Sequence, residues 1–394
     1  MTSANGTNIQ SESIVKAQKA VTNLIKFIHA SDIHLGSHQY RNEDRANDFI
    51  SAFEEILTTA VIHQVDFILL GGDVFTSLEM LPGKLTRVVN LLNKFKNETD
   101  NRIKIVAIEG NHDIRKFSRG QRFKQRDQSW LKLLASLGLI ILLDADVELA
   151  PDEIFKEYDF KTGKGGKIRI KDVIIYGTRY LGQNPEEYLS KLRDGIVRDD
   201  NLFHILLQHF GIEGQMAQVP GVNYQRIQIL KDRVNYLALG HYHLQFILDD
   251  WIFNPGSSES ACSSDFSFIR GIFLITVTNN ENYTKCVKKI RLMNRTYRWE
   301  TIYLKRELRS NENLYNYVIR KLKNIFDPIK NSDSGLRSIQ IPVLFLVLKG
   351  MKPHHKCKIN TKELTDLLIE NLPVVDARIY QKFSNFLKTI DIFM

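Results

Sequence analysis

Five short polar segments constrain this chain more than any other feature, because each follows directly on an apolar run. They are Ser31-Asp32-Ile33-His34, Gly71-Gly72-Asp73, Glu109-Gly110-Asn111-His112-Asp113, Gln208-His209-Phe210-Gly211 and Gly240-His241-Tyr242-His243. The runs before them, 26–30, 65–70, 103–108, 203–207 and 236–239, are rich in β-branched and aromatic residues and read as buried strands. Between the first three runs lie stretches of helical spacing. Phe49, Ile50, Phe53, Ile56, Leu57 and Ala60 recur with it inside 43–63, and 81–93 carries Pro82 where a first helical turn accepts proline. Ser129 opens a further helix through Leu137, and 138–143 reads as another strand. Strands and helices in alternation predict a layered α/β domain. Polar residues just past strand ends mark the place where such folds bind ligands.

The five segments combine carboxylate oxygen, amide oxygen and imidazole nitrogen. That mixture suits manganese, iron or zinc better than magnesium or calcium, which prefer all-oxygen cages. Asp32, His34, Asp73, Asn111, His209, His241 and His243 are enough donors for two ions, and an aspartate can bridge two cations. A metal pair ~3.5–4 Å apart clamps the attacking and leaving oxygens of a phosphoryl centre and acidifies a bridging water. Taken singly, each segment has a plainer reading as strand-end residues bonded to their own loops; the ordered set of five is what is specific. His29 and His204 fall inside strands and read as hydrogen-bonded core residues.

The set DxH, GD, GNHD, H, GHxH resembles the calcineurin-like metallophosphoesterase superfamily. Ala30-Ser31-Asp32-Ile33-His34-Leu35-Gly36 followed by Arg45, then Gly72-Asp73-Val74-Phe75, then Ala238-Leu239-Gly240-His241-Tyr242-His243 with Asn254-Pro255-Gly256-Ser257-Ser258-Glu259, narrow it. They resemble the meiotic recombination eleven / SbcD nucleases of DNA double-strand-break repair, over about 25–260. The resemblance implies an α/β metallophosphoesterase sandwich of two β-sheets flanked by helices, with a smaller α+β capping domain that faces DNA. It implies two manganese ions, one held by Asp32, His34, Asp73 and His243, the other by Asp73, Asn111, His209 and His241. His112 would stand at the scissile phosphate and help protonate the leaving oxygen. Asp113 would orient its imidazole. The family also implies a homodimer and an SMC-like ABC ATPase partner of the SbcC type. One position departs from the pattern: many members carry histidine three residues after the bridging aspartate, and here Thr76 stands there.

Charge and composition limit the alternatives. The chain has 394 residues, 54 Lys and Arg against 45 Asp and Glu, and a net charge of +9. Arg115, Lys116, Arg119, Arg122 and Lys124 cluster just after GNHD, where cations would meet phosphates, or else form a solvated face. A second basic set, 285–323, is interleaved with Tyr283, Tyr297, Trp299 and Tyr303. Three widely spaced cysteines offer no disulfide framework or thiolate zinc site. No apolar run is long enough for a membrane span, and the polar start has no signal-peptide core, so the expected place is cytoplasmic and chromosome-associated. The expected organisation is a mobile arm (1–23), the nuclease domain (24–265), the cap (266–380) and a tail (381–394). The tail's Phe383, Phe386, Leu387 and Ile390 would form the last helix of the cap or a remnant of an ATPase-binding element. Two other functions compete with the nuclease: a phosphoesterase on a small molecule, nucleotide, lipid or phosphoprotein, and a DNA-end-binding scaffold with negligible cleavage of its own.

Overall fold

The computed structural model describes residues 24–114, 129–217, 219–262, 264–280, 282–305, 307–330, 341–351, 353–354 and 357–384. The described residues divide into two compact units. The first takes those up to 37, with 53–261 and 267–292; the second takes 38–52, 262–266 and those from 293 onward.

The first unit holds two six-stranded mixed sheets. One has the order β12-β11-β1-β2-β3-β4, from β1 (Ile25–Ala30), β2 (Phe67–Leu70), β3 (Lys104–Ala107), β4 (Ile141–Leu142), β11 (Gly271–Asn280) and β12 (Asn282–Arg291). The other has the order β5-β6-β7-β8-β10-β9, from β5 (Lys167–Ile170), β6 (Val173–Gly177), β7 (Phe203–His209), β8 (Tyr236–Gly240), β9 (Phe246–Leu248) and β10 (Ile252–Asn254). The central strands β1, β2 and β3 run parallel, as do β6, β7 and β8. Parallel strands are covered on both faces, which is why Phe67-Ile68-Leu69-Leu70 and Tyr236–Gly240 are apolar without alternation and buried throughout.

Between the sheets, Phe27, Phe67, Leu69 and Val106 meet Ile175, Ile205, Leu207 and Phe253. Phe27 stacks on Phe67 at 4.9 Å, and Tyr236 on Phe253 at 4.1 Å. Full burial of each such side chain contributes about 1.5–3 kcal/mol. On the outer face of the second sheet, Leu206, Leu237 and Leu239 pack with Leu189, Leu192 and Ile196 of the segment around helix Leu189–Gly195. Helix Pro82–Glu98 begins at its proline, as the sequence predicts, and buries Val88, Leu92 and Phe95 along one stripe. Ser129 caps helix Trp130–Ser136 by accepting the Leu131 N–H at 3.1 Å.

The second unit is a three-stranded parallel sheet of β13 (Tyr297–Leu304), β14 (Val343–Met351) and β15 (Asp376–Ser384), in that order. The crossovers contain helices Asn311–Lys330 and Thr361–Asn371. Leu314, Val318, Leu322, Leu364 and Leu368 of these helices pack on Ile302, Leu304, Leu344, Leu346 and Leu348.

Two boundaries differ from the sequence reading. The hairpin 271–291, expected in the cap, extends the first sheet: β11 pairs antiparallel with β1 from Ile25↔Val277 to His29↔Phe273, placing Phe273, Ile275 and Val277 in the inter-sheet core. Residues 381–384, expected to start the tail, continue β15 opposite Leu348–Met351, and Phe383 packs against the second unit's core. The remaining tail positions and the 1–23 arm lie outside the described residues, as do Arg115, Lys116, Arg119, Arg122 and Lys124.

Candidate metal centre

All nine residues read as metal ligands or catalytic groups lie in the first unit, at the C-terminal ends of its parallel strands. Asp32 and His34 follow β1, Asp73 follows β2, and Asn111, His112 and Asp113 follow β3; His209 ends β7, and His241 and His243 follow β8. The loops are stitched together by backbone bonds. The Asp32 N–H donates to the Gly72 carbonyl at 3.0 Å, and the His34 N–H to the Asp73 carbonyl at 3.0 Å. The His241 N–H donates to Asp32 Oδ2 at 3.0 Å, tying the second sheet to the first.

Four of these residues hold left-handed backbone: Asp32 (φ 50°), His34 (φ 53°), Asp73 (φ 50°) and His241 (φ 90°). Each such residue costs roughly 1–2 kcal/mol relative to ordinary backbone, and strain of this kind clusters at functional sites. Two glycines let the loops close. Gly72 has φ +92°, and a Cβ there would lie 2.5 Å from His209 Nδ1; a Cβ on Gly110 would overlap the Asp73 carboxylate.

Donor atoms gather into two groups, Asp32 with His34 and His243, and Asp73 with His209 and His241, each lying within 4.8 Å of one another. In the first, His34 Nε2 and His243 Nε2 face each other at 3.1 Å. The fully buried Asp32 Oδ1 has no hydrogen-bond partner among the described residues. In the second, Asp73 Oδ2 is 3.3 Å from His209 Nε2, and Asn111 Oδ1 lies 3.2 Å from His209 Nε2 and 3.0 Å from His241 Nδ1. Lone pairs aimed at one another, with an orphaned carboxylate oxygen among them, require protons or cations between them. The donor set fits two divalent transition ions.

Electrostatics divide the imidazoles. Burial and the neighbouring His243 push His34 down to about 3, and burial with His209 pushes His241 down to about 4. Both are neutral, the form that binds a metal. Burial opposes a charge on His209 too, yet Asp73 raises it to about 9. Burial would raise Asp73, but His209 outweighs it and holds the carboxylate well below its usual range. Burial raises Asp32, against the pull of His209 and His243. His209 Nδ1–H donates to the Gly71 carbonyl at 2.7 Å, so Nε2 is the nitrogen directed at Asp73 and Asn111.

His112 is exposed. Its Nδ1–H donates to the Thr76 carbonyl at 2.9 Å, and its backbone N–H donates to Asp73 Oδ1 at 2.7 Å. The orienting contact expected from Asp113 is therefore made by Thr76. Asp113 is buried instead among backbone donors, accepting from Phe75 at 2.8 Å, Gly110 at 2.9 Å and Val74 at 3.2 Å, and so fastens the β2 loop to the β3 loop. The Thr76 hydroxyl stands 3.4 Å from His34 Nδ1. Main-chain carbonyls such as those of Gly71 and Thr76 have no residue signature and are invisible to sequence reasoning. Tyr180 is a side chain that reasoning missed. Its ring lies 6.0 Å from His209 and 6.1 Å from His241, beside a cleft of about 750 Å³ lined also by Phe210, Val219, Pro220 and Arg226.

The family model for calcineurin-like phosphoesterases matches residues 25–245. Among curated proteins, the chain is similar to DNA double-strand break repair protein Mre11 of Archaeoglobus fulgidus, 30% identical over 60% of this chain and 50% of that one. The protein of the same name from Methanosarcina mazei is 33% identical over 61% of this chain and 34% of that one. That of Methanosarcina acetivorans is 25% identical over 83% of this chain and 49% of its own. The matches thus cover about half the length of these relatives or less.

Proposed function

This chain belongs to the calcineurin-like phosphoesterase family, and on that premise we propose that it is a metal-dependent nuclease acting at DNA double-strand breaks. The observation that carries the reading is the convergence of two Asp/His donor groups at parallel strand ends, in a chain whose relatives are named for double-strand break repair. Asp32, His34, Asp73 and His243 would hold one manganese ion, and Asp73, Asn111, His209 and His241 a second. When bound, such a pair supplies an activated water and concentrated positive charge at the phosphoryl centre.

The chain's own groups do the rest. The Gly71 carbonyl fixes the His209 tautomer, and the His112 N–H steadies one Asp73 oxygen. With Nδ1–H engaged by Thr76, His112 has Nε2 left to exchange a proton, and we assign it protonation of the departing 3′ oxygen. DNA is the substrate of this reading; a second copy of the chain and an SMC-like ABC ATPase of the SbcC type are its partners, at the chromosome in the cytoplasm. Among the described residues, no helix is long and apolar enough to cross a membrane.

One observation favours a second reading, a small phosphoester substrate: the cleft beside His241 is of small-ligand size. The discriminating experiment incubates the purified chain with end-labelled DNA, or with a chromogenic phosphodiester, in manganese or magnesium. Manganese-dependent cutting of DNA, lost in Asp73→Asn, supports the nuclease. Turnover of the diester with DNA left intact supports the small substrate and overturns the proposal.

A further inference from the structure

The first sheet ends in a notch. β4 pairs with β3 only through Val106↔Ile141 and Ala107↔Leu142, so the start of β3, at Lys104 and Ile105, has no β4 partner beside it. The ends of helices Pro82–Glu98 and Trp130–Ser136 and the turn 158–163 line the opening that remains. The turn is fastened by the Gly163 N–H, which donates to the Asp159 carbonyl at 2.8 Å. The cavity so formed is about 360 Å³ and lies entirely within the first unit. It stands at the start of β3, whereas Asn111 of the candidate metal centre follows the other end of that strand.

Its lining is apolar and aromatic, with cations and no acid. Leu139 and Tyr158 are buried, but Phe160, edge-on to Tyr158 at 5.2 Å, is 70% exposed. Lys96, Lys104 and Lys161 are the charged residues of the lining. Lys96 Nζ donates to the Gly138 carbonyl at 3.1 Å, and none of the three lysines has a carboxylate partner among the described residues. The adjacent Asp159 is already engaged, accepting from the Lys161 backbone N–H at 2.9 Å and the Thr162 hydroxyl at 2.9 Å. Burial, with the repulsion of Lys96, holds the Lys104 ammonium below its usual range. Solvated lysines on an open face need no partner, but cations drawn together at an apolar cavity are stabilised by an anion that enters it. An apolar pocket with a few convergent polar groups is also the common form of a small-ligand site.

We propose that this cavity binds a small aromatic anion, one planar ring system carrying a phosphate or carboxylate, with its ring against Tyr158 and Phe160 and its charge at Lys96 and Lys104. Binding here uses neither metal ions nor DNA, so the site stands whether or not the chain is a nuclease.

The test uses the intact chain with a chelator and no divalent ion, so that no phosphoester is hydrolysed. 1-Naphthyl phosphate and 1-naphthoate are titrated by calorimetry beside 1-naphthol and inorganic phosphate. At least one of the two ring-bearing anions binds saturably at one site per chain, more tightly than naphthol or phosphate; which of the two binds better identifies the anionic group. Lys104→Gln weakens that binding about tenfold and Lys104→Arg restores most of it. Phe160→Ala, at an exposed ring whose removal leaves the core intact, weakens it about fivefold. If Lys104→Gln does not fold, Lys161→Gln replaces it, since that side chain is exposed. Inorganic phosphate binding as tightly as the ring-bearing anions overturns the proposal, as does the absence of saturable binding by either of them. Undiminished affinity in the lysine and Phe160 variants would place the probe elsewhere on the chain and overturn it too.

Discussion

At the residue scale, His209 and Asp73 hold each other in opposite charge states, and that pairing makes metal binding pH-dependent. An ion entering between them must displace the proton on His209, whose folded value is about 9. Manganese affinity therefore rises with pH and levels off above about 9, and calorimetry in buffers of different ionisation heat detects the released proton; a pH-independent affinity would contradict the pairing. His112 behaves differently. Its backbone N–H, which steadies Asp73, survives truncation of the ring. His112→Ala is expected to cut cleavage by about 10²–10⁴-fold while manganese binding, followed by the same calorimetry, stays near wild type. Gly110→Ala should do the reverse, since the added methyl overlaps the Asp73 carboxylate: manganese binding itself is lost. The five segments made legible which side chains gather at the strand ends. Their left-handed backbone, the Gly71 and Thr76 carbonyls and the anchoring of Asp113 were not, because those depend on where the chain turns and carry no residue pattern.

At the scale of elements, two buried polar groups tie strands and helices into place. His29, on β1, is fully buried against the Tyr236 hydroxyl of β8 at 3.0 Å, and burial pushes it down to about 3. Its unfolded form takes up a proton near 6.5 and its folded form does not, so stability is lost as pH falls from about 6.5 toward 3, by up to roughly 1.4 kcal/mol per pH unit. His29→Gln should flatten that part of the stability curve in denaturant titrations at stepped pH. In the second unit, Asp48 takes Arg295 bidentately at 2.6 and 2.8 Å and Arg45 at 2.5 Å, all three side chains being buried. Asp48→Ala exposes two guanidinium groups to an unbalanced interior and is expected to cost about 3–5 kcal/mol, read as a shifted denaturation midpoint. Arg45 entered the sequence reading only as one mark of a resemblance; the Asp48 it bonds is 3 positions away, but the Arg295 that shares this carboxylate lies 247 positions beyond Asp48, a pairing that leaves no periodicity to find. Helices and central strands were legible because their apolar spacing is set by local geometry. Which sheet the hairpin 271–291 joins was not, since its strands would alternate in the same way on either unit's sheet.

For the molecule as a whole, a net charge of +9 and the repeating phosphates of the proposed DNA substrate predict affinity that falls steeply with salt. A straight line of negative slope is expected when log affinity for duplex DNA is plotted against log salt, the slope counting phosphate contacts; a flat line would remove DNA as the polyanion this charge serves. The central claim is narrower: the strand ends of two sheets, meeting around Asp73, hold a pair of divalent ions. Counting bound manganese per chain by equilibrium dialysis and elemental analysis tests it most directly. The account predicts two ions in the wild-type chain and loss of binding in Asp73→Asn; one ion or none in the wild type, or an undiminished count in the variant, would contradict it.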